Sequence, residues 1–187
     1  MKILNVFLLL ILFFVTNELK AQEVDRSRSK FKLFNRTEVN YSFGINEPFP
    51  NERINVFKIK TTIGKQNEHI GAGIGLSTAS YRSTKSGGGS NFNTISFTGN
   101  FHYLIYKFSD DRNNIFLKAG AGYSPRFFNS YDRGFIYDVA AGYVIKTRKG
   151  ARYFISALYQ RQEFDKFKLQ DGNVEVKSVG LGLGTWF

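Results

Sequence analysis

Six side chains carry most of the chemistry that the sequence offers: Glu38, Lys58, Lys60, His102, Lys118 and Asp138. Each stands beside at least one apolar neighbour in a stretch where greasy and polar residues alternate, the period of a strand, so each belongs to a polar face. Asn100 and Gln160 hold equivalent positions. An ionised group taken out of bulk water needs an opposite charge or a full set of hydrogen bonds. Positions counted from the intervening loops set Glu38 close to Lys60 across an antiparallel pair, and a structural ion pair is expected there. Gating, or a narrow water path, is the alternative use of the same charges.

Catalysis and metal binding are less well served. The two histidines, His69 and His102, are expected on the polar faces of neighbouring strands, diagonally close. A metal ion would need further ligands, so hydrogen bonding is the expected role, and no catalytic, cofactor or metal site is assigned. Gly71, Gly73 and Gly75 imitate part of a nucleotide fingerprint, but a phosphate cradle needs a helix N-terminus after the loop, and none follows.

Eight alternating segments must position these groups: Arg36–Ile45, Ile54–Gly64, His69–Tyr81, Phe92–Tyr106, Ile115–Ser124, Phe135–Ile145, Arg152–Phe164 and Val174–Phe187. The longer connections are Asn46–Arg53 with Pro48 and Pro50, Arg82–Asn91 with its glycine run, Pro125–Gly134 and Asp165–Asn173. Between them come Lys65–Asn67, the longer charged turn Lys107–Asn114, and Thr147–Gly150. Phe154 and Leu158 break the alternation of their segment. The last segment sets Val179, Leu181, Leu183, Thr185 and Phe187 against Ser178, Gly180, Gly182, Gly184 and Trp186.

Ahead of the strands, residues 1–22 have the layout of a secretory signal peptide: Lys2, an apolar run from Val6 to Val15, and Ala21 at the cut. That run is short of the ~20 residues a membrane-spanning helix needs. Residues 23–35 read as a polar, basic tail, and 36–187 as a single domain. The chain has no cysteine, so an exported form is held without disulfides. The net charge of +11 would suggest nucleic acid for a cytosolic protein, but an exported chain meets other polyanions first, and no nucleic-acid partner is expected.

Lysines on the inner face of a soluble core would be ruinous, yet they are ordinary in the polar lumen of a transmembrane barrel. The outward aromatics sharpen the choice. Tyr103, Tyr143, Tyr153 and Phe187 fall near one end of the strands; Phe43, Phe57, Phe97, Tyr123, Phe135, Tyr137 and Tyr159 fall near the other. Mostly aliphatic residues lie between, with Tyr41 and Phe101 intruding, as expected of two interfacial girdles. The fold expected is all-β: an eight-stranded antiparallel up-and-down transmembrane barrel in the bacterial outer membrane. A soluble, lipocalin-like barrel, greasy inside, is the alternative.

The eight segments, the glycine-rich GAGIG, AGAGY and AAGY stretches and the terminal GLGLGTWF resemble the small OmpA/OmpX-type barrels. The resemblance is closer still to PorT-like outer-membrane barrels of Bacteroidota-like bacteria. It implies that Phe187 is an assembly signal read by the barrel assembly machinery, and it brings no catalytic motif. The expected function is a non-enzymatic structural or partner-binding role in the outer membrane. A lipid A modifying enzyme and a narrow ion or solute conduit are the alternatives, and a diffusion pore is not expected at this strand number. Arg126 and Arg133, with the aromatic Phe127, Phe128 and Tyr131, form a candidate contact surface in the third long loop, for lipopolysaccharide phosphates or a protein partner.

Overall fold

The computed structural model describes residues 31–85, 89–109, 113–128, 133–147, 151–165, 167 and 173–187. Tyr131 of the proposed loop surface and the whole of the proposed signal peptide lie outside the described residues. Eight strands follow one another: β1 (Lys32–Gly44), β2 (Ile54–Gln66), β3 (Ile70–Ser83), β4 (Phe92–Leu104), β5 (Asn114–Pro125), β6 (Arg133–Lys146), β7 (Arg152–Asp165) and β8 (Asn173–Trp186). Each is hydrogen-bonded to its neighbours in sequence, and β8 returns to β1, so the sheet is a closed antiparallel barrel. Closure leaves no unpaired edge, the feature that otherwise invites sheets to aggregate.

The seam between β8 and β1 is in register from Arg36 opposite Trp186 to Gly44 opposite Ser178. It is extended at one end by a reciprocal pair: the Asn35 amide donates to the Phe187 carbonyl at 2.9 Å, and the Phe187 amide donates back at 2.8 Å. Strand β1 therefore starts at Lys32 and not at Arg36, and residues 32–35, read from sequence as the end of a polar tail, are wall. The apolar signal for this was Phe34, which continues the inward alternation. Strand β4 stops at Leu104, two residues early, because the Asn114 side chain takes over the next position. It accepts from the Tyr106 amide at 3.0 Å and donates to the Tyr106 carbonyl at 2.7 Å.

Alternation gives every strand two chemically different faces. Leu, Ile, Val, Phe and Tyr project outward, from Tyr159 at 37% exposed to Ile74 at 79%. Above this apolar band the outer face of β7 and β8 becomes ionic: Arg161 pairs with Glu163 at 2.6 Å and Glu175 at 2.5 Å, and Lys177 with Glu175 at 3.3 Å. Inward positions are buried and mostly polar midway along the strands, but apolar and aromatic at both ends. At the end where β8 finishes, Phe34, Leu104, Phe116, Val144, Phe154 and Trp186 form one cluster. At the opposite end, Ile54, Val56, Tyr81, Phe92, Phe164, Phe167 and Val176 form another.

Candidate functional site

The charged groups meet across the barrel rather than along its wall. Glu38 on β1 accepts from Lys118 on β5. Lys60 on β2 donates to Asp138 on β6 at 2.8 Å. Lys58, also on β2, lies 3.7 Å from the same carboxylate and donates to Gln160 at 2.5 Å. Both carboxylates thus face lysines four strands away, a reach possible because an eight-stranded interior is just wide enough for side chains to fill it.

The expected Glu38–Lys60 pair needs correction in its partners. Thr37 and Thr61 hydroxyls lie 3.2 Å apart across β1 and β2, which sets Glu38 opposite Lys60. Lys60 nevertheless donates to Asp138, and Glu38 is met by Lys118. Glycine makes the room: a Cβ on Gly120 would lie 2.8 Å from Asn100 Oδ1 and 3.1 Å from both Asp138 Oδ1 and Lys60 Nζ.

From Lys58 a directed chain of hydrogen bonds climbs toward the upper cluster. Gln160 accepts from Lys58 and donates through Nε2 to Tyr81 Oη at 3.2 Å. Tyr81 donates to Gln162, which donates through Nε2 to Ser124 Oγ at 2.7 Å, and Ser124 meets Ser96 at 2.5 Å. Each amide is used in one orientation only, so these side chains form one connected, directed network.

Both ends of this network are capped by rings. At the end where β8 finishes, Trp186 lies against His102 at 4.6 Å, Phe116 at 5.5 Å, Phe108 at 5.8 Å and Phe154 at 6.2 Å. Its indole N–H donates to Gln66 at 3.1 Å, and Arg152 stacks 3.9 Å from the Phe108 ring. At the other end Tyr81 stacks on Phe92 at 4.5 Å, and two loop residues complete the cover: Phe167 lies 4.8 Å from Phe92 and 5.2 Å from Phe49. Phe49 is presented by a turn whose central residues are Pro50 and Asn51, the latter left-handed at φ 56°. Pro followed by a left-handed Asn suits such a turn.

The histidines separate. His102 is inside, its ring 4.8 Å from Phe34. His69 precedes β3, holds the Leu104 carbonyl through Nδ1 at 3.1 Å and stacks on the outward Tyr103. The two therefore do not share the interior, because β3 begins at Ile70, one residue later than the alternation suggested, and His69 falls in the turn. Among the described residues no group of three or more His, Asp or Glu gathers for a metal ion.

Outside, Tyr103, Tyr143, Tyr153 and Phe187 are all exposed, as are Phe127 and Phe128. The Phe127 ring lies 6.4 Å from Phe97 on the outer wall, and the exposed Arg133 pairs with Asp165 across β6 and β7. A depression of about 950 Å³ over Ala119, Ala141 and Ala157 also belongs to the outer wall, and Lys118 is among the residues that line it. Missed in the sequence were the plug residues Phe49, Phe108, Phe167 and Trp186. The signal available was the pair of inward exceptions, Phe154 and Leu158, together with Trp186 on an otherwise small face.

Fold and interior together define a class: a closed, up-and-down, eight-stranded β-barrel with charges inside and apolar side chains outside. No protein-family model matches the chain, and no curated protein matches it in sequence.

Proposed function

We propose that this chain is an integral outer-membrane protein of the small-barrel type, exported behind residues 1–22, with a structural or partner-binding role and no catalytic activity. The observation that carries the reading is the inverted polarity. Ile74, Leu181 and Leu183 are more than 60% exposed, while Glu38, Lys58, Lys60, Lys118 and Asp138 are buried. An exterior of this kind is stable in hydrocarbon and costly in water. The strands, 12 to 14 residues long, exceed the ~9 to 11 residues that a tilted transmembrane strand requires.

The likeness to PorT-like barrels belongs to the same proposal. So do the outer loops as the contact surface, with Arg126, Phe127, Phe128 and Arg133 facing lipopolysaccharide or a protein. The aromatic plugs and the directed network weigh against a conduit. The test is membrane fractionation of intact cells, followed by electrophoresis of the purified protein with and without boiling. Outer-membrane location and a band that shifts on boiling are expected; a soluble protein without the shift would overturn the proposal.

A further inference from the structure

Arg36 is an interior cation with no hydrogen-bonding partner among the described residues, although Glu38 and Asp138 lie within electrostatic reach. Its side chain is 1% exposed, and Nε, Nη1 and Nη2 form no hydrogen bond with any protein group. The Trp186 ring, 5.1 Å from the guanidinium carbon, attracts the cation with its π face but accepts none of its five N–H donors in the plane. Directly across the β1/β2 pair stands Thr62, since Thr37 and Thr61 touch in the same register. The Thr62 hydroxyl is likewise buried and without a partner.

The charge balance points the same way. Midway along the barrel, buried Arg36, Lys58, Lys60 and Lys118 face Glu38 and Asp138; the other buried carboxylate among the described residues, Glu52, lies in the β1–β2 connection and accepts from the Ser90 amide. Glu38 Oε2 is taken by Lys118 and Asp138 Oδ2 by Lys60. Glu38 Oε1 is buried with no hydrogen bond, but the carboxylate's single charge is already shared with Lys118. A guanidinium does not shed its proton in a protein, so Arg36 cannot be relieved by titration. Both ends of the interior are closed by aromatic clusters, and a buried surplus of positive charge in such an enclosure calls for a counter-charge.

We propose that the interior binds one small inorganic anion of the halide class between the Arg36 guanidinium and the Thr62 hydroxyl. Thr62 faces Arg36 on one side and Gly75 of β3, its cross-strand partner, on the other. A Cβ on Gly75 would lie 3.1 Å from Thr62 Oγ1 and 2.7 Å from Asn100 Nδ2 and Thr98 Oγ1, so that side is filled and the anion is confined to the Arg36 side. A monatomic ion is satisfied by the donors of one guanidinium and one hydroxyl, where the several oxygens of a tetrahedral oxyanion would need more. The anion enters as the sheet closes and exchanges slowly afterwards, because the plugs stand across both routes.

The test follows from slow exchange: the protein is refolded, in detergent, separately in sodium bromide, sodium chloride and sodium gluconate of equal ionic strength. Crystals from bromide are expected to show an anomalous bromine peak in contact with Arg36. The midpoint of thermal unfolding is expected to be several degrees higher in either halide than in gluconate, with saturation as halide rises. Arg36→Met is expected to lose both the peak and the difference between salts. Where that variant does not fold, Thr62→Val serves, and its half-saturating halide concentration is expected to rise; an unchanged value sinks the assignment. Bromide peaks confined to the exterior, or equal midpoints in all three salts for the unaltered protein, would overturn the proposal. A protein that refolds without detergent contradicts the membrane reading but leaves this test intact, since the interior is the same.

Discussion

Glu38 and Lys118 meet across the full width of the barrel, from β1 to β5, with both side chains almost wholly buried. Lys60 and Asp138 repeat the arrangement from β2 to β6. Opposite walls are thereby tied by charge, in addition to the backbone ladder that runs around the circumference.

Breaking one such tie leaves its partner charged and alone. Lys118→Met is expected to destabilise the barrel by ~3 to 5 kcal/mol, whereas the double variant Glu38→Gln with Lys118→Met recovers much of that loss. Urea titration read from the folded and unfolded bands of unboiled samples measures both. Equal losses in the single and double variants would show that Glu38 is satisfied without Lys118.

Gly120 and Gly99 provide a matched pair. A side chain at Gly120 enters the Asn100, Asp138 and Lys60 cluster, while one at Gly99 meets only the Ala121 carbonyl at 3.9 Å. Gly120→Val is expected to cost ~1 to 3 kcal/mol through overpacking, and Gly99→Val to stay within about 0.5 kcal/mol, as surface changes do. The same titration decides, and a harmless Gly120→Val would mean the interior is looser than its distances indicate.

Leu181 lies on the outward face of β8 and is 61% exposed. If that face contacts lipid, Leu181→Arg costs ~2 to 4 kcal/mol near the bilayer midplane; if it contacts water, the change stays within about 0.5 kcal/mol. Reversible unfolding from lipid vesicles separates the two, and the small value contradicts the membrane reading.

Trp186 is the only tryptophan and sits fully buried in its plug. Its emission is expected to be blue-shifted and insensitive to iodide in the folded protein. Trp186→Ala is expected to lose ~3 to 5 kcal/mol by leaving a cavity. Planar-bilayer recording of the unaltered protein is expected to give no steady conductance, and stable single-channel steps would show that the plugs do not seal.

The sequence made the wall legible and the interior only partly so. Period-two alternation is a local property, so segments such as Phe135–Ile145 and Arg152–Phe164 could be read directly, with errors of a few residues at the ends. Lateral register was also within reach: Glu38 does stand opposite Lys60. Diametric contacts were not, because they depend on strand number, tilt and closure together, and no local pattern encodes which side chain arrives from four strands away. For the same reason Phe49 and Phe167 read as loop residues, although the loops carry them over the mouth. The Asn114 side chain ended β4 in a way that propensity does not foretell.

One consequence of the diametric pairs concerns assembly. The β1–β2 hairpin carries Glu38, Lys58 and Lys60, while their partners Lys118 and Asp138 ride on the β5–β6 hairpin. Neither hairpin can satisfy its own charges, and an open sheet of four or six strands would present them unpaired to whatever surrounds it. Partial sheets are therefore penalised until the curvature brings the two hairpins face to face. The buried charges act as a test of completeness, favouring all-or-none closure over stable intermediates with a gap in the wall.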